Sequence, residues 1–232
     1  MDHSVNNNND KFGLVLCGGG AKGAYQIGIW EYLITCGRAK NIGAISGASV
    51  GSLNALLIAQ GDLEIAKKVW REATPDMIMM QDRLQTLIEK SLYAWDAQKT
   101  DRIPLYACIS NVTDLPPLER RRLATPDYVF LSDLSKEDCI KTVLASSAVP
   151  VIVQPHKIHG KSYIDGGIAD NMPIRPLVLL GYKEILIVHL DPKNPVEDFF
   201  FQNAVQDLDI SGVTFRHIYP KRSHTPIDFF SL

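Results

Sequence analysis

Apolar residues in this chain first form an unbroken run, then fall into helical spacing, and the alternation repeats. Phe12 to Cys17 is continuous in apolar residues and glycine, the signature of a strand buried on both faces. Ala21 to Cys36 follows with helical spacing: Tyr25, Gly28, Ile29, Tyr32 and Leu33 make the predicted inward face, and Gly37 ends it. Ile42 to Ser46 predicts a second strand, and Val50 to Gln60, apolar nearly all round, a helix buried behind it. Asp62 is placed to cap a third helix reaching about Glu72. Asp76 to Lys90 carries Met77, Met80, Leu84, Leu87 and Ile88 in an amphipathic pattern. It reads as a core-facing helix, with a lid over a greasy substrate as the alternative.

Beyond Thr100, Ile103 to Val112 and Tyr128 to Leu131 predict strands, separated by a Pro116-Pro117 turn and a short basic run. Ser135 and Asp138 have capping-box spacing ahead of a helix that turns Cys139, Ile140, Val143 and Leu144 inward until Pro150 stops it. A hairpin around His159-Gly160 leads into Tyr163 to Gly167. A helix over Ile174 to Leu180 and a strand over Glu184 to Leu190 follow. Alternating helices and unpatterned strands predict an α/β fold around a mainly parallel sheet.

Composition narrows the partners more than the fold. At 232 residues and 46% apolar content the chain can bury one substantial core, and a net charge of −2 with a pI near 6.3 excludes a general attraction for nucleic acid. The run Glu119-Arg120-Arg121-Arg122 reads as a solvated loop, with contact to anionic head groups as the alternative. Residues 1–10 form a polar, asparagine-rich tail without the features of an export signal, and no apolar run reaches membrane-spanning length. A cytoplasmic protein is expected, with peripheral contact at membranes. Cys17, Cys36, Cys108 and Cys139 lack metal-site spacing, and Cys17 and Cys108 are expected to be buried, reduced thiols. Phe199-Phe200-Phe201, beside Pro195 and Asp198, suggests a loop, with core packing as an alternative. That cluster and Phe229-Phe230 are the candidates for inserting into a lipid interface.

The chemistry is concentrated in two glycine-framed turns. Gly47-Ala48-Ser49-Val50-Gly51 follows a strand and precedes a helix, the setting in which a serine hydroxyl is held exposed at a sharp elbow. Gly18-Gly19-Gly20-Ala21-Lys22-Gly23 likewise joins strand to helix, where backbone N–H groups can converge on developing negative charge. Gly18, Gly20 and Gly23 also satisfy a dinucleotide fingerprint, but Asn41 to Ser46 supplies no carboxylate for a ribose and runs straight into the serine elbow. Lys22 is followed by glycine, which excludes a Walker A loop. Ser49, Asp165 and His189 occur in the order of an α/β-hydrolase triad. Against a triad, the elbow comes too early in the chain and His189 sits in an apolar strand, where a structural histidine is commoner.

Four stretches in this order resemble the patatin-like phospholipases, a family of lipid acyl hydrolases. They are Gly18 to Tyr25, Gly47 to Ala55, Ala145 to Pro150, and Asp165-Gly166-Gly167 with Asn171 and Pro173. The resemblance implies a three-layer α/β/α domain spanning residues 11–232, with Ser49 as nucleophile and Asp165 as general base in a dyad without histidine. Backbone N–H groups of the loop from Gly18 through Gly19, Gly20 and Ala21 to Lys22 would form the oxyanion hole. Gly23, Gly47, Gly51, Gly166 and Gly167 would complete the motifs. No metal or cofactor is implied, and the expected partner is lipid at a membrane or micelle surface. Many relatives carry arginine where Lys22 stands. A carboxylesterase or thioesterase using the same dyad, and a lipid-binding module without chemistry, are the alternatives.

Overall fold

The computed structural model describes residues 10–74, 81–92, 103–150 and 153–222. In chain order the first half comprises β1 (Phe12–Leu16), α1 (Ala24–Thr35), β2 (Ile42–Ala48), α2 (Val50–Gln60), α3 (Leu63–Glu72), α4 (Gln81–Ser91) and β3 (Leu105–Asn111). The second half comprises α5 (Arg120–Leu123), β4 (Thr125–Phe130), α6 (Lys136–Ser146), β5 (His156–Ile158), β6 (Lys161–Ile164), α7 (Arg175–Leu179), β7 (Glu184–Val188), α8 (Pro195–Val205) and β8 (Thr214–Ile218).

β1 shows why the chain layers as it does. Successive residues of a strand point to opposite faces. Phe12, Leu14 and Leu16 accordingly enter a core shared with α1, α2, α3, α4 and α6, while Val15 and the adjoining Cys17 enter a second core shared with α7 and α8. With both faces covered, the strand carries no polar alternation, which is why it reads as one apolar run. Five strands run parallel in the order β3-β2-β1-β7-β8, and β4, β6 and β5 add antiparallel pairing around β3. The architecture is α/β/α with a mostly parallel sheet.

The pairing around β3 fixes where the site must lie. β4 occupies one edge of β3 along its whole length, from Tyr106 opposite Phe130 to Asn111 opposite Thr125. The other edge is shared. β2 pairs there in parallel as far as Ala48 opposite Cys108, and β6 pairs there antiparallel beginning with Ile164 opposite Ser110. β2 and β6 therefore run toward one another along a single edge and stop with only Ile109 between their partners. The residues that follow them in sequence are Ser49 and Asp165.

Capping residues set several of the helices. Asp62 accepts the Ile65 N–H at 3.0 Å and Ser135 the Asp138 N–H at 3.1 Å. The His159-Gly160 turn joins β5 and β6 with positive φ at both residues. Leu84, Leu87 and Ile88 of α4 are buried in the core, in line with the core-facing reading; Met77 and Met80 lie outside the described residues. Cys17 and Cys108 are buried free thiols, as expected.

Two expectations are corrected. The buried face of α1 is Gln26, Ile27, Trp30 and Leu33, whereas Tyr32 is 65% exposed. An almost uniformly apolar helix leaves its rotation undetermined by pattern, and the buried amide of Gln26 decides it by donating to the Cys17 carbonyl at 2.8 Å. Phe199 to Phe201 form part of helix α8, not a loop. Asn194 caps it by accepting the Val196 N–H at 2.9 Å, and Pro195 takes the first turn, where a missing N–H costs nothing. Phe201 packs edge-on to Phe215 and His217, while Phe199 remains exposed. Phe229 and Phe230 lie outside the described residues.

Candidate active site

At the end of β2 the chain reverses so sharply that Ser49 adopts φ 53° and ψ −127° before α2 begins. A non-glycine residue rarely takes this conformation, and the cost is sustained only where surrounding contacts hold it. Ser146 supplies one of them: its hydroxyl accepts the Ser49 N–H at 2.9 Å and donates to the Cys108 carbonyl at 2.7 Å, tying the elbow to β3. Ser52 Oγ donates to the Ser49 carbonyl at 2.6 Å. The turn also needs room. A side chain at Gly51 would put its Cβ 2.1 Å from the Leu16 carbonyl oxygen, so only glycine lets α2 start this close to β1.

Asp165 arrives from the opposite direction. The Ser110 hydroxyl donates to the Asp165 carbonyl at 2.7 Å and accepts the Ala169 N–H at 3.0 Å, while the Asp165 N–H donates to the Ala148 carbonyl at 2.9 Å. Backbone held on both sides, the carboxylate receives the Ser49 hydroxyl on Oδ2 at 2.7 Å and the Gly167 N–H on Oδ1 at 2.8 Å. Ser49 is 8% and Asp165 7% exposed. Burial pushes the Asp165 carboxyl up from 3.8 to about 6, and the two hydrogen bonds from Ser49 and Gly167 partly oppose that rise. A carboxylate raised this far is a better proton acceptor than an ordinary aspartate and is still ionised at neutral pH.

The glycine loop lies against this pair. An ideal Cβ at Gly18 would stand 3.1 Å from Ser49 Cβ. The Gly18 N–H is taken by Asn171 Oδ1 at 3.0 Å, and among the described residues no acceptor is recorded for the N–H groups of Gly19 and Gly20. Gly19 rests on Leu190, and Lys22 pairs with Asp191 at 2.5 Å, so the residues after β7 back the loop. A buried amide network fastens both its ends. Gln26 Nε2 holds the Cys17 carbonyl; Asn54 Nδ2 holds the Gly23 carbonyl at 2.9 Å and Gln26 Oε1 at 2.7 Å; Trp70 Nε1 donates to Asn54 Oδ1 at 2.8 Å. Neither Ser110 nor Gln26 stood out in the sequence, since a lone serine or glutamine in an apolar element carries no spacing signal.

His189 makes its contacts elsewhere. Its Nδ1 lies 2.8 Å from Glu197 Oε2 and its Nε2 3.0 Å from His217 Nδ1, and its ring stacks on Tyr219. The hydroxyl of Ser49 meets Asp165 directly, so a Ser-Asp-His arrangement is not formed. Among the described residues no group of three or more His, Cys, Asp or Glu is placed to hold a metal ion, and no helix is long and apolar enough to cross a membrane.

Beside Ser49 is a cavity of about 20 Å³, walled by Gly20, Val50, Leu53, Leu84, Ser147 and Val149. That is room for roughly one water.

A hydroxyl at a strained strand-to-helix elbow, set against a carboxylate at the carboxyl edge of a mainly parallel sheet, defines the class: an α/β protein with the layout of an ester-hydrolase site. The family model of the patatin-like phospholipases matches residues 14–178, and the chain belongs to that family. It is 26% identical over 173 residues to an NTE family protein of Mycobacterium tuberculosis, covering 71% of this chain and 44% of the relative. It is 26% identical over 229 residues to the lysophospholipase NTE1 of Cryptococcus neoformans, covering 91% of this chain and 13% of that protein. The crystal structure of VipD from Legionella pneumophila shares the fold with a TM-score of 0.52 and 17% identity, covering 82% of this chain and 52% of VipD. The chain thus spans less than half the length of the mycobacterial relative it matches.

Proposed function

We propose that the protein is a serine lipid acyl hydrolase of phospholipase A or lysophospholipase type, acting through Ser49 and Asp165 within a single domain over residues 11–232. The observation that carries the reading is the 2.7 Å hydrogen bond from Ser49 Oγ to Asp165 Oδ2, with no histidine partner at either residue among the described residues. Family membership and the name of the fungal relative support a lipid ester as substrate.

In the first step Ser49 Oγ attacks the ester carbonyl carbon while its proton passes to Asp165 Oδ2. The carbonyl π electrons move onto oxygen, where the N–H groups of Gly19 and Gly20 receive the charge. Collapse breaks the bond to the leaving oxygen, which takes the proton from Asp165 and departs as alcohol or lysolipid. Water then gives its proton to Asp165 and attacks the acyl-serine; collapse expels Ser49 Oγ, which takes that proton back from Asp165, and the fatty acid is released. Gly18 serves by position, its own N–H being committed to Asn171. No step calls for a metal ion.

Fatty-acid release from mixed phospholipid vesicles and turnover of a soluble p-nitrophenyl ester, both with EDTA present, test the proposal. Wild type is expected to act on both. Ser49→Ala and Asp165→Asn should each lose roughly a hundredfold or more. Folded His189→Ala should retain the chemistry; its loss alongside the other two would replace the dyad with a triad. Turnover of acyl-CoA or soluble esters without vesicle hydrolysis would instead make the protein a thioesterase or general esterase.

A further inference from the structure

The cavity beside Ser49 is too small for a lipid, and a larger opening has walls one residue away from it in the chain. On the same carboxyl edge of the sheet lies an open groove of about 540 Å³, bounded by Pro117, Leu118, Pro150 and Ile164 and by the side chains of Arg120 and Arg121. Two of its walls are one residue away from the site. Ile164 directly precedes Asp165, and Pro150 directly follows Val149 of the small cavity. Consecutive Cα atoms stand about 3.8 Å apart, so the groove begins within one residue of both Asp165 and the small cavity.

Its chemistry is two-sided. Proline, leucine, valine and isoleucine make the walls mostly apolar, Gln154 is the one uncharged polar side chain on them among the described residues, and Leu118 is 97% exposed at the rim. The two arginines come from the turn after β3, where Pro116 and Pro117 redirect the chain into α5. Arg120 Nε is anchored to the Leu115 carbonyl at 3.3 Å, which leaves the terminal guanidinium nitrogens for another partner. Among the described residues no carboxylate is recorded pairing with Arg120 or Arg121, and none lines the groove. Planar guanidinium forks match phosphate oxygens, while a head-group ammonium would find no counter-charge here.

We infer that this groove is the head-group site of the substrate, and that it selects a lipid bearing an uncompensated phosphate over a zwitterionic one. The phosphate sits between Arg120 and Arg121, and the glycerol and chain lie along Pro150 and Ile164 toward Ser49. The identity of the ligand as substrate rests on the hydrolase reading above; its binding does not.

The test separates the two. Dihexanoyl phosphatidic acid, kept below its micelle concentration so that no membrane surface contributes, is titrated calorimetrically into Ser49→Ala protein with and without Arg121→Gln. Binding is expected to weaken roughly tenfold or more with Arg121→Gln. It should be untouched by Lys183→Gln, which removes the same charge at the opposite edge of the sheet, and dihexanoyl phosphatidylcholine should bind more weakly throughout. Equal affinity for the two lipids, or equal losses from Arg121→Gln and Lys183→Gln, overturns the assignment. Glycerol 3-phosphate competing as well as the lipid would make the groove a site for free phosphate esters and would also overturn it. In a parallel assay on Ser49-containing protein, the ratio of phosphatidic acid to phosphatidylcholine hydrolysis falls with Arg121→Gln. If wild type hydrolyses no ester while selective binding persists, the hydrolase reading fails and the head-group site stands.

Discussion

Asn171 Oδ1 accepts the backbone N–H of Gly18 at 3.0 Å, joining residues 153 positions apart in the chain. The bond removes the first amide of the glycine loop from the supply of free donors, and on the proposed mechanism it steadies the loop whose next two amides receive the oxyanion. Asn171→Ala should lower kcat roughly tenfold or more while leaving KM for a soluble ester nearly constant, because a donor is misplaced chiefly where charge develops. Asn171→Asp, which keeps an acceptor at that position, should recover most of the loss. A change in KM alone would place Asn171 in substrate binding instead.

The acidity of Asp165 sets a pH dependence. As the proposed base Asp165 must be ionised, and burial moves its titration up to about 6. kcat/KM on a soluble ester should therefore rise with pH through about 6 to a plateau, and fall about tenfold per pH unit well below it. An acid limb near the ordinary aspartate value would mean that the free enzyme's carboxylate is far better solvated than its 7% exposure implies.

The same shift predicts a stability change of opposite sense to the activity change. The folded protein holds the Asp165 proton more tightly than the unfolded chain does, so this group's contribution is full below about pH 4. It declines as pH rises from there through about 6 and is lost above it. Asp165→Asn cannot ionise and can still accept the Gly167 N–H. Thermal or urea unfolding at pH 7.5 should find it more stable than wild type by up to about 3 kcal/mol, with the difference vanishing near pH 4. Destabilisation at pH 7.5 would sink this account.

Leu84 of α4 is fully packed and also walls the cavity beside Ser49. Leu84→Ala should enlarge that cavity and raise the preference for longer over shorter acyl p-nitrophenyl esters several-fold, at a cost of about 2–5 kcal/mol in stability. An unchanged chain-length profile in folded protein would show that acyl chains do not pass by this residue.

Sequence made the scaffold legible where pattern and chemistry agreed. The apolar runs of β1, β2 and β7 declared buried strands, and Ser135 and Asp62 declared their helices through capping. The elbow at Ser49 and the glycine loop were readable because sharp turns restrict residue type. What escaped was rotation and reach. The inward face of α1 was set by one amide, Gln26, whose partners at Cys17 and Asn54 are assembled only in three dimensions. α8 was hidden because Pro195 suggests a break unless Asn194 is recognised as the cap before it. β4 begins at Thr125, three residues before its predicted start, because Pro126 needs no N–H partner on an edge strand. Asp165 was marked by resemblance, since Asp-Gly-Gly after a strand is by itself an ordinary turn. Its meeting with Ser49 depends on two strands approaching along one edge of β3, a relation that no local pattern encodes.

That head-on approach has a consequence for when the protein becomes reactive. Ser49 and Asp165, the proposed nucleophile and base, stand 116 residues apart in sequence and are brought together by a third segment, β3, made between them. A chain emerging from the ribosome displays the serine and its glycine loop long before the aspartate exists. On the proposed mechanism it stays chemically silent until both strands have docked, so hydrolysis would report completion of the sheet's centre. Partial unfolding that peels β6 from β3 would switch the molecule off without disturbing the serine turn, and refolding could be followed by activity alone.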